Sequence, residues 1–142
     1  MTWYAAHLVL YVKFRNRRQT RYPVWENIVL IKARTVDEAF EKAEARGRED
    51  AWPDDSFTWG GEPAEWVFGG VRKLTKCVDE HQRPNDGTEV TYIEMELASK
   101  AELEKFIDGA PVTLRIDDGF PDKAEPAGRT AAAANGRRTK VY

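Results

Sequence analysis

The sequence is short of the residues that most often carry chemistry. It has one cysteine, Cys77, and two histidines, His7 and His81, in 142 residues. A lone cysteine excludes an internal disulfide, and one Cys with two His cannot supply an ordinary structural zinc site. Such cysteine usage fits a reducing compartment, and a cytoplasmic location is expected. No apolar run approaches the roughly 18 residues that would span a bilayer. The opening MTWYAAHLVLYVKF lacks a basic n-region and a small-residue cleavage site, so no signal peptide is expected. A formal net charge of −2 leaves no excess of either sign to draw the chain onto nucleic acid or a membrane. Gly60-Gly61 and Gly69-Gly70 lack the spacing and the following helix of a phosphate-binding loop. Neither a cofactor nor a metal is called for, and no catalytic residues are assigned.

What is present is structural. With 42% apolar and 32% charged residues, the composition is that of a globular domain, and the length suits one. The chain is organised around Trp3–Phe14, WYAAHLVLYVKF. Side chains alternate between the faces of a strand. Tyr4, Ala6, Leu8, Leu10, Val12 and Phe14 make one face wholly apolar, while Trp3, His7, Val9, Tyr11 and Lys13 make the other mixed. Such a strand belongs inside a sheet. Val24–Ala33 forms a second strand, antiparallel to the first, and its run Ile28-Val29-Leu30-Ile31 predicts cover on both faces. Thr35-Val36-Asp37-Glu38 matches a capping box, and Val36, Ala39, Phe40 and Ala43 share one helical face, with Gly47 as the stop. Residues 48–65 are irregular and carry Trp52, Phe57 and Trp59. Residues 65–78 read as a third strand interrupted by a bulge or close approach at Gly69-Gly70. Asp86-Gly87 marks a turn, and 88–97 a fourth strand. Ser99-Lys100-Ala101-Glu102 opens a second helix with Leu103, Phe106 and Ile107 on its apolar face, ended by Gly109. Val112–Ile116 alternates and could add a fifth strand. Residues 117–142 are small and polar and are expected to form a disordered tail after a single domain over 1–116.

The expected fold is α+β: an antiparallel sheet of four to five strands in β-β-α-β-β-α order, with two helices on one face. The stretch from Trp3 to about Leu97 resembles a family of small bacterial domains of unknown function, the one numbered 4288 in that series. The resemblance rests on Trp3-Tyr4-Ala5-Ala6, on IKA with DEAFEKAEARG, on Phe68-Gly69-Gly70-Val71, and on Gly87-Thr88-Glu89-Val90-Thr91-Tyr92. It implies no activity and no residue roles.

Four features bear on function. Arg15, Arg17, Arg18 and Arg21, with Tyr22 and Trp25 near them, could form a basic aromatic patch for nucleic acid. The plainer reading is a hairpin tip whose arginines pair with acids of the 48–65 loop. Glu94 and Glu96, with Glu89 nearby, could form an acid pair or a hard-metal site, but alternation alone places polar residues on the wet face of a strand. His7 could meet Glu94 or Glu96 if their strands are neighbours, which would suit a hydrolase. Adjacent strand residues point oppositely, so Lys76 does not activate Cys77. Lastly, two short helices can cover one side of the sheet only. The face bearing Trp3, Val9 and Tyr11 must meet either the 48–65 loop or another chain. The leading expectation is therefore a non-enzymatic domain acting by protein–protein contact, a homodimer or a complex with another protein. A nucleic-acid-binding module is the alternative, a hydrolase a remote one, and no membrane partner is expected.

Overall fold

Strand β1, Thr2–Phe14, runs through the middle of the sheet as its composition requires. The computed structural model describes residues 1–51, 53–77, 83–117 and 140–141. They fall into two compact units: one from Met1 to Thr91 that also takes in Lys140–Val141, and one beginning at Tyr92.

In the first unit β1 pairs antiparallel with β2, Val24–Ala33, in an unbroken register from Thr2↔Ala33 to Tyr11↔Val24. Gln19 staples the connection, donating to Val12 O at 2.6 Å and Arg21 O at 3.0 Å and accepting from Phe14 N–H at 3.1 Å. The helix α1, Val36–Asp50, begins as its capping box dictates: Glu38 N–H donates to Thr35 Oγ1, and the Glu38 carboxylate accepts from Arg34 N–H. Gly47 does not stop it. The helix runs one turn further because Gly47 is a packing residue. A Cβ there would collide with the Phe68 ring, so only glycine lets the helix lie this close to the sheet. Ala39 and Ala43 are fully buried on the same side, whereas Val36, expected beside them, is exposed.

A two-residue strand β3, Thr58–Trp59, turns back through Gly60-Gly61 into β4, Glu62–Lys76. Both glycines have positive φ (59° and 83°), as the tightest hairpin turns demand. Strand β4 lies antiparallel to β1, and its register slips twice, at Gly69 and at Arg72. The interruption expected at Gly69-Gly70 is therefore a β-bulge. Four strands stand in the order β2-β1-β4-β3, and a further strand, Lys140–Val141, lies parallel to β4. The core is the helix face of the sheet: Tyr4, Ala6, Leu8, Leu10, Val71 and Leu74 against Ala39 and Ala43. Past the end of α1, Val12, Phe14 and Ala64 pack with Phe57, Trp59 and Trp66.

The second unit holds β5, Glu94–Glu96, paired antiparallel with β6, Arg115–Asp117, and α2, Lys100–Ile107, capped by Ser99 Oγ. For uniform labels the strand Lys140–Val141 is β7. The α+β class and the antiparallel sheet agree with the sequence, but the fourth strand does not lie where expected. Only Glu94–Glu96 of 88–97 is strand, and it joins β6 in a separate sheet. Residues 83–91 instead turn at Asn85–Thr88, with Gly87 at φ 84°; beyond the turn Val90 O accepts from Cys77 Sγ, and Thr91 reaches His7 on β1. Alternation in a sequence specifies a pleat; it does not name the neighbour. Trp52, His81 and most of the expected tail lie outside the described residues.

Candidate functional site

The face of β1 opposite the helix holds the least expected chemistry. His7 is 0% exposed and Lys73, directly across on β4, is 2% exposed. The bulge at Arg72 makes this possible. It inserts one residue, so Arg72 and Lys73 both serve this face, and the Arg72 guanidinium reaches the Glu26 carboxylate at 2.9 Å. The unbroken β1–β2 register sets Glu26 opposite Val9, two residue pairs beyond His7 and so on the same face. His7 Nδ1 lies 2.7 Å from Glu26 Oε1, and His7 Nε2 lies 2.6 Å from Thr91 Oγ1.

Burial pushes the His7 pKa below its ordinary value. The hydrogen bond and charge of Glu26 oppose that, and Lys73 and Arg72 add to it. The imidazole is thus neutral at pH 7, with its Nδ1–H donated to Glu26 and the Thr91 hydroxyl donated to Nε2. The network ties β1, β2, β4 and the 83–91 segment together. Thr75, two residues from Lys73, buries a hydroxyl with no hydrogen-bond partner among the described residues.

The carboxylate that meets His7 is therefore Glu26. Glu94 and Glu96 belong to β5, which pairs with β6 and not with β1. Among the described residues no group of three or more His, Cys, Asp or Glu could hold a metal. Burial raises the Cys77 pKa, so the thiol stays protonated.

The arginines split. Arg15 donates to Asp54 O and Ala64 O and pairs with Asp55 and Glu65; Arg17 pairs with Glu62 and lies over the Phe14 ring. These acids fall within residues 48–65, where the plainer reading of the cluster looks for them, but only Asp55 is in the loop; Glu62 and Glu65 stand at the start of β4. Arg18, Arg21 and Tyr22 are exposed, and Tyr22 packs edge-on to Tyr11. Trp25 is half exposed and lies against Trp66 on the helix face.

Of the residues expected to form an open patch, Trp3, Val9 and Tyr11 are only half-buried, and the described aromatics of the loop lie elsewhere: Phe57 and Trp59 pack on the helix face. The larger exposure is on β2. This strand is the sheet's edge, and Ile28 and Leu30 are 42% and 41% exposed. The cover expected for both faces of the 28–31 run exists on one, where Val29 and Ile31 pack on the core. A run of four apolar residues looks the same in a strand buried on both faces and in an edge strand kept for a partner.

These features define an α+β domain whose central strand is buried along its helix face and at Ala5 and His7 on the other, and whose edge strand is covered on one face. The family model described as "Domain of unknown function (DUF4288)" matches residues 3–103, and the chain belongs to that family. No curated protein and no solved structure matches the chain significantly. Among the described residues no helix is long and apolar enough to cross a membrane.

Proposed function

We propose that the domain works by self-association, pairing the outer edge of β2 with the same edge of a second copy. The observation that carries this is the edge itself. β2 is ten residues long, and its register with β1 contains no bulge. Proline stands only before it, at Pro23. Exposed edges are ordinarily blunted by bulges, prolines or inward-pointing charges. Two charges stand on this strand: Glu26, already engaged by His7 and Arg72, and Lys32, whose outward carbonyl accepts from Lys42 Nζ at 2.8 Å and must exchange that bond for one to the second copy.

The backbone has the required polarity. Val12 N–H bonds to Pro23 O, so Pro23 faces β1. Backbone groups alternate along an antiparallel strand, so those of Val24, Glu26, Ile28, Leu30 and Lys32 point outward. Among the described residues no strand meets that edge.

A two-fold pairing centred on Val29 sets Ile28 against Leu30 of the second copy, and Glu26 against Lys32 of the second copy, each twice. Shifting the centre to Ile28 would set Glu26 against Leu30 and forfeit both charge pairs. Glu26 can take the new partner: His7 and Arg72 both bind Oε1, and Oε2 has no hydrogen-bond partner among the described residues. Closed two-fold dimers are the commonest assembly of identical chains.

The nucleic-acid reading has less support, because Arg15 and Arg17 are held by carboxylates. A hydrolase reading has the His7–Glu26 pair in its favour, but the imidazole is fully buried.

Light scattering across a dilution series from about 100 μM tests the proposal, since assembly by mass action must follow concentration. A dimer mass that falls to monomer in Ile28→Lys and Leu30→Lys supports it. Both sites are exposed, so the fold should lose no more than about 0.5 kcal/mol. A monomer at every concentration overturns it.

A further inference from the structure

On the helix face, between the start of β2 and the last turns of α1, lies a cavity of about 300 Å³ lined by Leu10, Trp25, Asn27, Arg46, Asp50 and Trp66. Three observations suggest what it is for. The β2 residues on this face are Trp25, Asn27, Val29, Ile31 and Ala33, so Asn27 is the one polar side chain in an apolar row. It is half-buried, lies opposite Leu8, and no described residue hydrogen-bonds its amide. Trp25, two residues before it, is 54% exposed and leans on Trp66 with centroids 4.8 Å apart and ring planes 49° apart, so much of its indole stays exposed. At the rim Arg46 is paired with Asp50 at 2.9 Å, so the two charges cancel there.

Each observation narrows the ligand. An apolar ligand would desolvate the Asn27 amide without returning a hydrogen bond, a costly arrangement. A phosphate would have to compete with Asp50 for Arg46. The open indole suits a flat ring, because base–aromatic stacking is strong and tolerant of ring identity. The amide offers a donor and an acceptor side by side, the pair that reads the N6–H and N7 of adenine. The volume is at the lower end for ligand sites. We propose that this cavity binds an adenine ring, stacked on Trp25 and paired edge-on with the Asn27 amide, in an uncharged form rather than through a phosphate. The assignment does not rest on self-association, because it is read from the indole and amide signals and not from mass, although a β2–β2 pair centred on Val29 sets Ile31 and Ala33 of the second copy beside Asn27 and Trp25.

The test is a titration of the full chain with adenosine, followed by NMR at the Trp25 indole N–H and the Asn27 side-chain NH₂. Both signals should shift saturably below about 5 mM, and Asn27→Leu should weaken binding at least about tenfold. Leucine matches the apolar row, so this variant should fold; Trp25→Ser provides a second removal. Indole, which lacks the paired edge, should bind no better to wild type than to Asn27→Leu. A short oligoadenylate tests the uncharged form: equal binding per base supports it, and tighter, salt-sensitive binding than adenosine overturns it in favour of a nucleic-acid strand. Absence of saturable shifts, or equal adenosine affinity in wild type and Asn27→Leu, overturns the proposal.

Discussion

The two faces of β1 are built from the same strand and buried by opposite means. The helix face is closed with hydrocarbon: Leu8, Leu10 and Leu74 against the small residues Ala39, Ala43 and Gly47. The opposite face is closed with polar groups: His7, Lys73 and Thr75 are buried there, and Glu26, Arg72 and Thr91 complete the network. Apolar burial gains from area and shape and is indifferent to pH. Polar burial holds only while each group keeps its partner and its charge state. The two faces should therefore fail differently.

The largest effect belongs to the helix face. Leu8 is fully buried in its centre, and Leu8→Ala should cost about 2–5 kcal/mol in chemical denaturation, with little change between pH 5 and 8. A loss under about 1 kcal/mol would mean that the core does not depend on this packing. Next comes Gly47→Ala. Helix propensity alone predicts a gain of about 1 kcal/mol. The collision with Phe68 predicts a net loss of about 1–3 kcal/mol. Shrinking the ring by Phe68→Leu should recover part of that loss, which a double-mutant cycle would measure.

On the opposite face the probe is pH. Burial holds the His7 pKa below its value in the unfolded chain, about 6.5. The unfolded state therefore takes up a proton that the native state refuses. This contribution to stability is complete above pH 6.5 and is lost as pH falls from 6.5 through the lower folded pKa. The slope from this one site is at most about 1.4 kcal/mol per pH unit. His7→Gln should flatten that part of the profile, and an unchanged slope would show that other groups cause it. The smallest effect is Thr75→Val. It removes a buried hydroxyl without a partner among the described residues, at nearly constant shape, and should raise stability by up to about 1 kcal/mol. A loss of similar size would show that the hydroxyl is bonded in solution.

What could be read beforehand follows the same division. β1, β2, both capped helices, the bulge at Gly69 and the Asp86-Gly87 turn rest on local rules, and all are present. What was missed depends on pairing across the chain. Gly47 has the same local signature whether it ends a helix or admits Phe68. The partner of His7 is Glu26, because a bulge-free register over ten pairs sets it there, and the bulge that aims Arg72 at the same carboxylate depends on β4 pairing with β1. Asn27 reads as an ordinary polar strand residue until the register places it in the apolar row. The 28–31 run misled for a similar reason: hydrophobicity on both faces signals burial, but not whether the burying surface belongs to the same chain.

That last ambiguity is what the proposed β2–β2 pairing resolves, and its register can be tested by cross-linking. Centred on Val29, the pairing makes the two Val29 residues a directly opposed, non-hydrogen-bonded pair, with Cα atoms about 4.5 Å apart, within disulfide range. In a Cys77→Ala background, Val29→Cys should oxidise readily to a covalent dimer on non-reducing gels and by intact mass. Val24→Cys, whose opposite number lies beyond the strand, should not. A chain that stays monomeric after oxidation of Val29→Cys, or that cross-links equally through Val24→Cys, would contradict the account.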